Sequence, residues 1–431
     1  MCLVSLDPHF KPTKYLTESV PGIGGVLKER DEDFIVEELP AYEPCGEGEH
    51  LYLFVQKRHM ATMHAVRLIA EHFGVKRDAV GFAGLKDKVG ITTQLFSVHL
   101  PGKKDEEFSN FEHPNLGVLW KDRHTNKLRR GHLAGNRFVI RVRKTSASKV
   151  IHAHKALAML AAMGVPNRIG VQRFGMLRNN QDVGRALLLG DAKDALDALL
   201  MPHPEFPEIQ PEARRLYAEG KYDEAMRAMT GGSHTERRVL AALARGANER
   251  QAIGAIERMD YSFYITAFQS AVFNAILEER IASGRLAMLE DGDLAFKHDS
   301  GAVFPVGSEM SAEERGALPE RLRVMEVSPS GPMWGQRMTR ASGAIGEREE
   351  AALEEAGLSV ARLDALSRRD VEAMEGKRRP MRVPVRLPDV EGGVDEHGEY
   401  VKCVFELPRG SFATTVMQEV MKGEVGEEEE E

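Results

Sequence analysis

The sequence predicts an α+β protein built from more than one folded unit. Strand-like patterns fill the first 165 residues, helical patterns dominate from residue 166 onward, and a strand pattern returns near residue 400. The 431 residues also exceed the roughly 250 to 300 that one hydrophobic core supports. A content of 42% hydrophobic and 29% charged residues is ordinary for a folded, water-soluble protein.

Four strands are predicted in the first segment, where β-branched and aromatic residues lie between turn signals. They cover residues 33–38, 50–56, 94–100 and 136–143. In the last of them apolar and basic residues alternate, so one face is expected to be buried in the core and the other, called the wet face below, to be exposed to solvent. The core face comprises Phe138, Ile140 and Val142, and the wet face comprises Arg137, Arg141 and Arg143.

Helical periodicity predicts helices in both segments. Two interrupt the strands, at 62–73 and 149–163, and three lie in the middle, at 183–200, 217–229 and 264–280. The last of these carries one apolar stripe at spacings of three and four, formed by Ile265, Phe268, Val272 and Ile276. Residues 377–393 have the Gly and Pro content of a loop, and a strand is predicted at 400–407.

The simplest organisation is that the chain leaves a first domain, builds a second and returns. We therefore assign residues 1–165 and 380–431 to one domain and residues 166–379 to an inserted, helix-rich domain. The acidic end, residues 424–431, cannot bury itself and is predicted to be disordered.

Several classes of protein are excluded by what the sequence lacks. No segment approaches the roughly 18 apolar residues of a membrane span, and no leader peptide is recognised, so a cytoplasmic location is expected. The three cysteines, Cys2, Cys45 and Cys403, are isolated and predict neither a disulfide framework nor a metal site. No P-loop or HExxH helix occurs, and we expect no cofactor and no metal. Nothing indicates a protein partner, and a monomer is expected.

Charge is distributed unevenly along the chain. A formal net charge of −8, taken alone, argues against a nucleic-acid partner. Residues 121–149, called the basic stretch below, nevertheless hold ten Lys or Arg against one acid, Asp122. This stretch is a candidate track for phosphates.

The segment from Gly81 to Gln94 carries the first candidate for chemistry. It places Asp87 between two lysines in a Gly-bounded turn before a strand, which would present the carboxylate at the end of a sheet. An aspartate in such a turn is commonly a solvated residue that bonds the backbone. The residue type alone therefore leaves both a turn role and a catalytic role open.

These residues resemble the TruD family of tRNA pseudouridine synthases, in which an Ala-Gly-x-Lys-Asp core and a Thr-x-Gln element carry the catalytic aspartate. The pattern is matched by Ala83, Gly84, Lys86, Asp87 and Gln94. Further segments resemble other family motifs and occur in the family's order along the chain, at residues 28–37, 46–50, 135–138, 166–175 and 410–414. The resemblance implies a pseudouridine-synthase catalytic domain with a central mixed or antiparallel sheet, interrupted by a TRUD-type domain. It also implies a tRNA substrate, with the D-arm uridine at position 13 as the target.

The resemblance further implies roles for individual residues. Asp87 and Lys28 would be catalytic, since a cation beside a carboxylate favours its charged form in a water-poor pocket. Substrate binding would fall to Phe138, Asn136, Phe412, Lys86 and Arg173. The two rings would stack on an everted base, whereas Arg173 is as well suited to pin a domain junction as to touch RNA. Lys86 and Lys88 are alternative cations for Asp87, although their position favours contact with phosphates.

The implied reaction breaks the C1′–N1 bond of uridine, turns the free base and rejoins it through C5. Nothing is oxidised and no group is added, so no cofactor is required. The carboxylate can act as a nucleophile or can remove a ribose proton as a base, and the sequence leaves both roles open. Two other classes compete. A non-catalytic tRNA-binding chaperone on the same fold would not need Asp87 or Lys28, and a methyltransferase would need a donor site, for which no Gly-rich strand–helix turn is found.

Overall fold

A computed structural model describes residues 5–104, 107–108 and 111–423, and the chain divides into two compact units. The sheet unit comprises Tyr15–Val165 and the chain from Val383 onward, and the insert unit comprises the chain up to Lys14 and Pro166–Arg382. The predicted disordered acidic end, 424–431, lies outside the described residues, as does Cys2. Within the described residues no helix is long and apolar enough to cross a membrane.

The elements follow in chain order. The first segment contains β1 (Phe34–Pro40), β2 (His50–Arg58), α1 (Thr62–His72), β3 (Val80–Phe82), β4 (Ile91–His99), β5 (Leu116–His124), β6 (Leu133–Val142) and α2 (Val150–Met163). The middle begins with β7 (Val165–Pro166), α3 (Asn180–Leu189), α4 (Ala192–Leu200), α5 (Pro211–Ala218), α6 (Tyr222–Ala228), α7 (His234–Ala244), α8 (Glu249–Ile253) and α9 (Arg258–Ala282). It continues with β8 (Leu294–Lys297), β9 (Val303–Pro305), α10 (Ala312–Arg323), β10 (Val327–Met333), α11 (Gly343–Glu355), α12 (Val360–Asp364), α13 (Arg368–Ala373), β11 (Lys377–Pro380) and β12 (Arg382–Val383). The chain then forms β13 (Arg386–Asp395), β14 (Gly398–Pro408) and α14 (Ala413–Met421).

The sheet unit is organised around one eight-stranded mixed sheet. Its order is β13-β14-β6-β1-β4-β2-β5, with β3 paired to β4. β1 and β4 run parallel, and the other pairs are antiparallel. The parallel pair therefore brings the first residues of β1 and β4 to the same edge of the sheet.

Helices cover the sheet where its apolar faces need burial. The predicted core face of β6 is buried, and Ile140 packs in one cluster with Leu157 of α2 and Val416 of α14. A second cluster joins Val55 and Phe96 of β2 and β4 to Ile69 of α1. Removing these apolar surfaces from water provides the main stabilisation of the unit, about 25 cal/mol per Å² of buried apolar area.

The insert unit packs helices around α9 and adds a small four-stranded sheet of order β11-β10-β8-β9. Gly184 of α3 lies against the Tyr264 carbonyl of α9, so the two helices approach closely. The stripe predicted on α9 is buried at Ile265, Phe268 and Val272.

The chain before Lys14 belongs to the insert unit, although the sequence-based division placed it with the first domain. Leu6 N–H donates to Asp182 Oδ1 over 2.9 Å, and Thr13 N–H donates to Glu278 Oε2 over 2.9 Å. These partners are more than 170 residues away in sequence, and no local pattern reveals them.

Other elements differ from their predictions for local reasons. The predicted helix 183–200 is two helices, because Gly190 adopts a φ of 78° and ends α3. Residues 377–393 are mostly strands of three different sheets, not a loop. β5 was not predicted, since its sequence mixes charged and apolar residues as an edge strand does.

Candidate active site

The Asp87 loop lies between β3 and β4, where the sequence predicted a turn before a strand. It ends at Gly90, which adopts a φ of 110° and passes directly against the Phe34 carbonyl. Gly90 N–H also donates to Asp31 Oδ1 over 3.1 Å. A side chain at residue 90 would therefore be strained, and the loop is held at the edge where β1 and β4 begin.

Buried polar groups brace this loop from two sides. Thr62 Oγ1 accepts from the Lys86 N–H over 2.9 Å and donates to Gln94 Oε1 over 3.1 Å. Gln94 Nε2 in turn donates to the Gly84 carbonyl over 3.0 Å. Thr62 and Gln94 are both buried, so these bonds are shielded from water and restrict the loop before Asp87.

A third brace comes from Lys57, which is only 1% exposed. Its ammonium donates to the Met60 carbonyl over 2.5 Å and to the Asp87 carbonyl over 3.0 Å. Burial lowers the pKa of Lys57 to about 8, and the charges of Asp87 and Lys86 act on it in opposite directions. Lys57 thereby ties the backbone of residue 87 to the end of β2.

The Asp87 carboxylate faces Lys28. Their charged atoms, Asp87 Oδ2 and Lys28 Nζ, are 3.7 Å apart, and the side chains are 29% and 13% exposed. The Lys28 ammonium also lies 4.2 Å from the centre of the Phe34 ring. Lys28 has a φ of 53°, a left-handed conformation that is unfavourable for a residue with a Cβ. The structure therefore brings together the two residues predicted to be catalytic.

Lys86 does not occupy the position expected of a phosphate-binding lysine. Its side chain is 5% exposed, with Nζ 2.9 Å from Glu38 Oε2 and 2.5 Å from Asn136 Oδ1. Glu38 and Asn136 are opposite each other on β1 and β6. Burial raises the pKa of Glu38 and the Lys86 charge opposes that shift, so the two charges compensate each other inside the unit. The Lys86 ammonium is thus held by buried partners, and its predicted contact with substrate stays a prediction.

Asn136 lies in the same cluster, half-buried, and its amide oxygen is engaged by Lys86. The structure thus orients the Asn136 side chain and leaves its predicted contact with substrate as a prediction.

The two predicted phenylalanines differ sharply in exposure. Phe138 is 6% exposed and packs against Phe405, with ring centres 5.6 Å apart, so it is a core residue and not an open stacking surface. Phe412 is 42% exposed and precedes α14. The loop before it is tied to the Asp87 loop in two steps, since Arg409 Nη1 donates to the Gly131 carbonyl and Gly131 N–H donates to the Ala83 carbonyl.

Arg173 belongs to the insert unit. It is half-buried, and its guanidinium lies 5.0 Å from the centre of the Phe263 ring. Burial lowers the pKa of Arg173. Its contact with RNA and its alternative role at a domain junction both stay predictions.

The basic stretch is only partly available to a phosphate backbone. Arg143, predicted on the wet face, is buried between Asp33 and Asp395, which accept from its guanidinium at 2.6–2.9 Å. Lys127 and Lys149 donate to backbone carbonyls, and Arg137 lies across the strands from Glu37 and Glu406. The exposed members are Lys121, Arg129, Arg130, Arg137 and Lys144. The prediction that all ten basic residues form a phosphate track is corrected, because several of them are paired with carboxylates or hydrogen-bonded to backbone carbonyls within the protein.

Sequence reasoning missed Phe34, Glu38, Lys57 and Thr62 as parts of the site. Each resembles an ordinary strand or helix residue in the sequence. A weak signal was present in Lys57, a charged residue at a position where the alternation of β2 calls for burial.

Comparison with known proteins places the chain in a family. A family model described as tRNA pseudouridine synthase D (TruD) matches residues 12–420. The chain belongs to the TruD family. Two relatives named tRNA pseudouridine synthase D, from Geobacter metallireducens and Geobacter sulfurreducens, are 41% and 40% identical to it. The alignments cover 95% and 96% of this chain and 98% of each relative.

Structural comparison agrees with this family. The crystal structure of a Methanosarcina mazei protein described as tRNA pseudouridine synthase D (TruD) superposes with a TM-score of 0.81 at 29% identity. The match covers 98% of this chain and 99% of the other. The resemblance to TruD and the predicted α+β fold with a central mixed sheet are both confirmed.

Proposed function

We propose that this chain is an isomerase that converts uridine to pseudouridine in tRNA, with Asp87 as the acting carboxylate and Lys28 as its cation. The observation that carries the proposal is the Lys28–Asp87 pair, 3.7 Å apart and partly buried, in a chain that matches TruD along nearly its whole length. The family names of its relatives supply the reaction and the tRNA substrate.

The reaction needs a carboxylate that stays charged and is held in a fixed position. The Lys28 ammonium stabilises the negative charge on Asp87, and the braces from Lys57 and Thr62 restrict the backbone on either side. The carboxylate either attacks the nucleoside covalently or removes a ribose proton, and the C1′–N1 bond then breaks. The released base rotates and C5 bonds to C1′. This step breaks the Asp87–C1′ bond in the covalent route, and in the other route Asp87 returns the ribose proton. The C5 proton is lost while N1 gains one, so substrate and product are isomers.

The target base must leave its stack to reach this carboxylate, at a cost of a few kcal/mol. We propose that Phe412 stacks on the everted base, since it is an exposed aromatic residue on a loop tied to the Asp87 loop. Stacking on an aromatic ring contributes about 1–3 kcal/mol per base. The uridine at position 13 of the D arm is our proposed target, by family resemblance.

The test is to incubate the protein with unmodified tRNA in buffer alone and to map pseudouridine by carbodiimide-dependent primer stops. We expect a stop at position 13 with the wild type and none with Asp87→Asn, while tRNA affinity stays within a few fold. Asp78→Asn is the matched control, because Asp78 is an exposed aspartate of the sheet unit. Wild-type conversion by Asp87→Asn would exclude Asp87, and a chaperone without turnover would give no stop with any variant.

The chain is proposed to act as a monomer, which light scattering on the purified protein would test. A cytoplasmic location is proposed as well, and cell fractionation would test it.

A further inference from the structure

A row of cations on the insert unit has no role in the chemistry of the Asp87 loop. It begins on β11, where Lys377 and Arg379 are two residues apart and share one face of the strand. Arg378, on the opposite face, is buried and bonded to both carboxylate oxygens of Glu349 over 2.7 Å. Glu349, which balances the charge of Arg378, therefore lies on the opposite face of the strand from Lys377 and Arg379.

Helix α9 runs alongside the row. A Cβ built at Gly331, which pairs with Arg379, would lie 3.0 Å from Phe273 of α9. One turn earlier on α9, Gln269 Nε2 donates to the Trp334 carbonyl. Trp334 follows Met333, which pairs with Lys377 across β10 and β11. Arg379 therefore lies beside Phe273 of α9, and Lys377 lies beside Gln269, one turn closer to the start of the helix.

Arg173 extends the row in the same direction. Its neighbour Phe174 packs against Ala267 and Ala271 of α9, and the Arg173 guanidinium lies over Phe263, one turn before Ala267. The charges of Arg379 and Arg173 both add to burial in lowering the pKa of Lys377, as expected for three cations close together.

Two of these cations have neutral groups among their partners. Arg379 donates to the Asn167 carbonyl and to its side-chain oxygen, and lies 5.6 Å from the Phe273 ring centre. Arg173 has the Phe263 ring beneath it, and Lys377, although its neighbours desolvate it in part, still reaches the surface. In a protein of net charge −8, three cations placed this close together favour binding an anion.

The surface next to the row suits a nucleic acid better than a small anion. Phe263 and Met259 are 38% and 78% exposed and lie one turn apart on α9, on one side of the helix. Exposed aromatic surface beside arginine and lysine is the arrangement that binds both the bases and the phosphates of RNA.

We propose that Arg173, Lys377 and Arg379, the cation row, bind phosphodiester groups of the tRNA backbone, with Phe263 contacting an adjacent sugar or base. The identity of the ligand as tRNA rests on the proposed function. The binding site itself rests on the placement of the three cations along α9.

The experiment measures binding of an unmodified tRNA transcript by fluorescence anisotropy across a salt series. Lys377→Gln removes one exposed charge from the row, and Lys193→Gln, on α4, is the matched control because it removes an exposed lysine that pairs with Asp197. Each phosphate contact contributes about 0.7 to 0.9 to the slope of log affinity against log salt. We expect Lys377→Gln to lower that slope by this amount, so that the affinity lost between about 50 and 200 mM salt shrinks about threefold. The double variant Arg173→Gln/Lys377→Gln should lower the slope about twice as much.

Equal slopes for Lys377→Gln and Lys193→Gln would overturn the cation row. If the wild type also formed pseudouridine in the primer-stop assay, the proposed function would stand without it. If instead Lys377→Gln lowered the slope but the wild type formed no pseudouridine, the row would stand and the isomerase would not. Matching thermal unfolding curves for the two single variants establish that both are folded.

Discussion

At the scale of single residues, the site depends on one ion pair that is neither fully buried nor freely solvated. Complete burial would impose a desolvation cost of several kcal/mol per ion, and full exposure would reduce the attraction to about 1 kcal/mol or less. Asp87 and Lys28 are between these limits, with side chains 29% and 13% exposed. The carboxylate can thus stay charged and still be reached by a substrate.

Removing the Lys28 charge should impair turnover more than binding. Lys28→Met keeps the length of the side chain but leaves Asp87 without its cation, and loss of one such electrostatic contact typically lowers kcat about 10²-fold. Lys76→Met is the matched control, since Lys76 is an exposed lysine of the same unit outside the basic stretch. Single-turnover rates and tRNA affinities should be measured for both. An unchanged rate in Lys28→Met would remove Lys28 from the mechanism.

At the scale of elements, the close packing of α3 against α9 should make Gly184→Ala destabilising, although Gly to Ala in a helix usually stabilises a protein. Gly to Ala inside a helix ordinarily stabilises a protein by about 1 kcal/mol. In α3, however, a Cβ on Gly184 would collide with the Tyr264 carbonyl of α9, a backbone atom that cannot rotate away. Gly316 in α10 has no atom within 4 Å of such a Cβ.

We therefore expect opposite effects on the free energy of unfolding. Gly184→Ala should lower it by about 2 kcal/mol, because overpacking outweighs the gain in helix propensity. Gly316→Ala should raise it by up to about 1 kcal/mol. Urea unfolding followed by circular dichroism measures both, and a stabilised Gly184→Ala would show that α3 and α9 are not as close as described.

A second prediction at this scale concerns the ion network that fastens the ends of β6 and β13. Arg143 bonds Asp33, just before β1, and Asp395, the last residue of β13. The Arg143 guanidinium lowers the pKa of Asp395 to about 2. Since this pKa is below its ordinary value, the stabilisation is complete above about pH 4 and is lost as the pH falls toward 2.

The wild type should accordingly lose urea resistance between about pH 4 and pH 2, and Asp395→Asn should lose less over that interval. Asp389→Asn is the control, because Asp389 is an exposed aspartate of the same strand. If Asp395→Asn and Asp389→Asn followed the same pH course, the network would not contribute to acid sensitivity.

At the scale of the whole molecule, the net charge of −8 conceals opposite local balances. Acids compensate several residues of the basic stretch within the sheet unit, whereas three cations lie close together in the cation row of the insert unit. The local balance, and not the total, decides where an RNA backbone can bind.

The reaction also sets a prediction for the whole protein. Because isomerisation neither oxidises the substrate nor adds a group, turnover should be unchanged after exhaustive dialysis against a chelator. The rate of pseudouridine formation before and after dialysis measures this. A loss that a divalent cation restores would contradict cofactor-free chemistry, provided that the tRNA alone is shown to fold equally in both buffers.

Much of the fold and the centre of the site could be read from the sequence. Period-two and period-3.6 patterns are local, so β2 and α1 were predicted close to their observed bounds, and α9 was predicted but begins six residues earlier than its apolar stripe indicated. The motif around Asp87 and the segment containing Lys28 identified the family, and the family brought together two residues 59 positions apart.

Only the tertiary structure decided how each charge is used. Lys86 and Arg143 look like surface cations in the sequence, yet each is buried against carboxylates from distant segments. Phe138 and Phe412 are both aromatic residues of family motifs, but one is in the core and the other is exposed. Local sequence determines backbone periodicity because its causes act within a few residues, whereas burial and ion pairing depend on groups that meet only when the chain has folded.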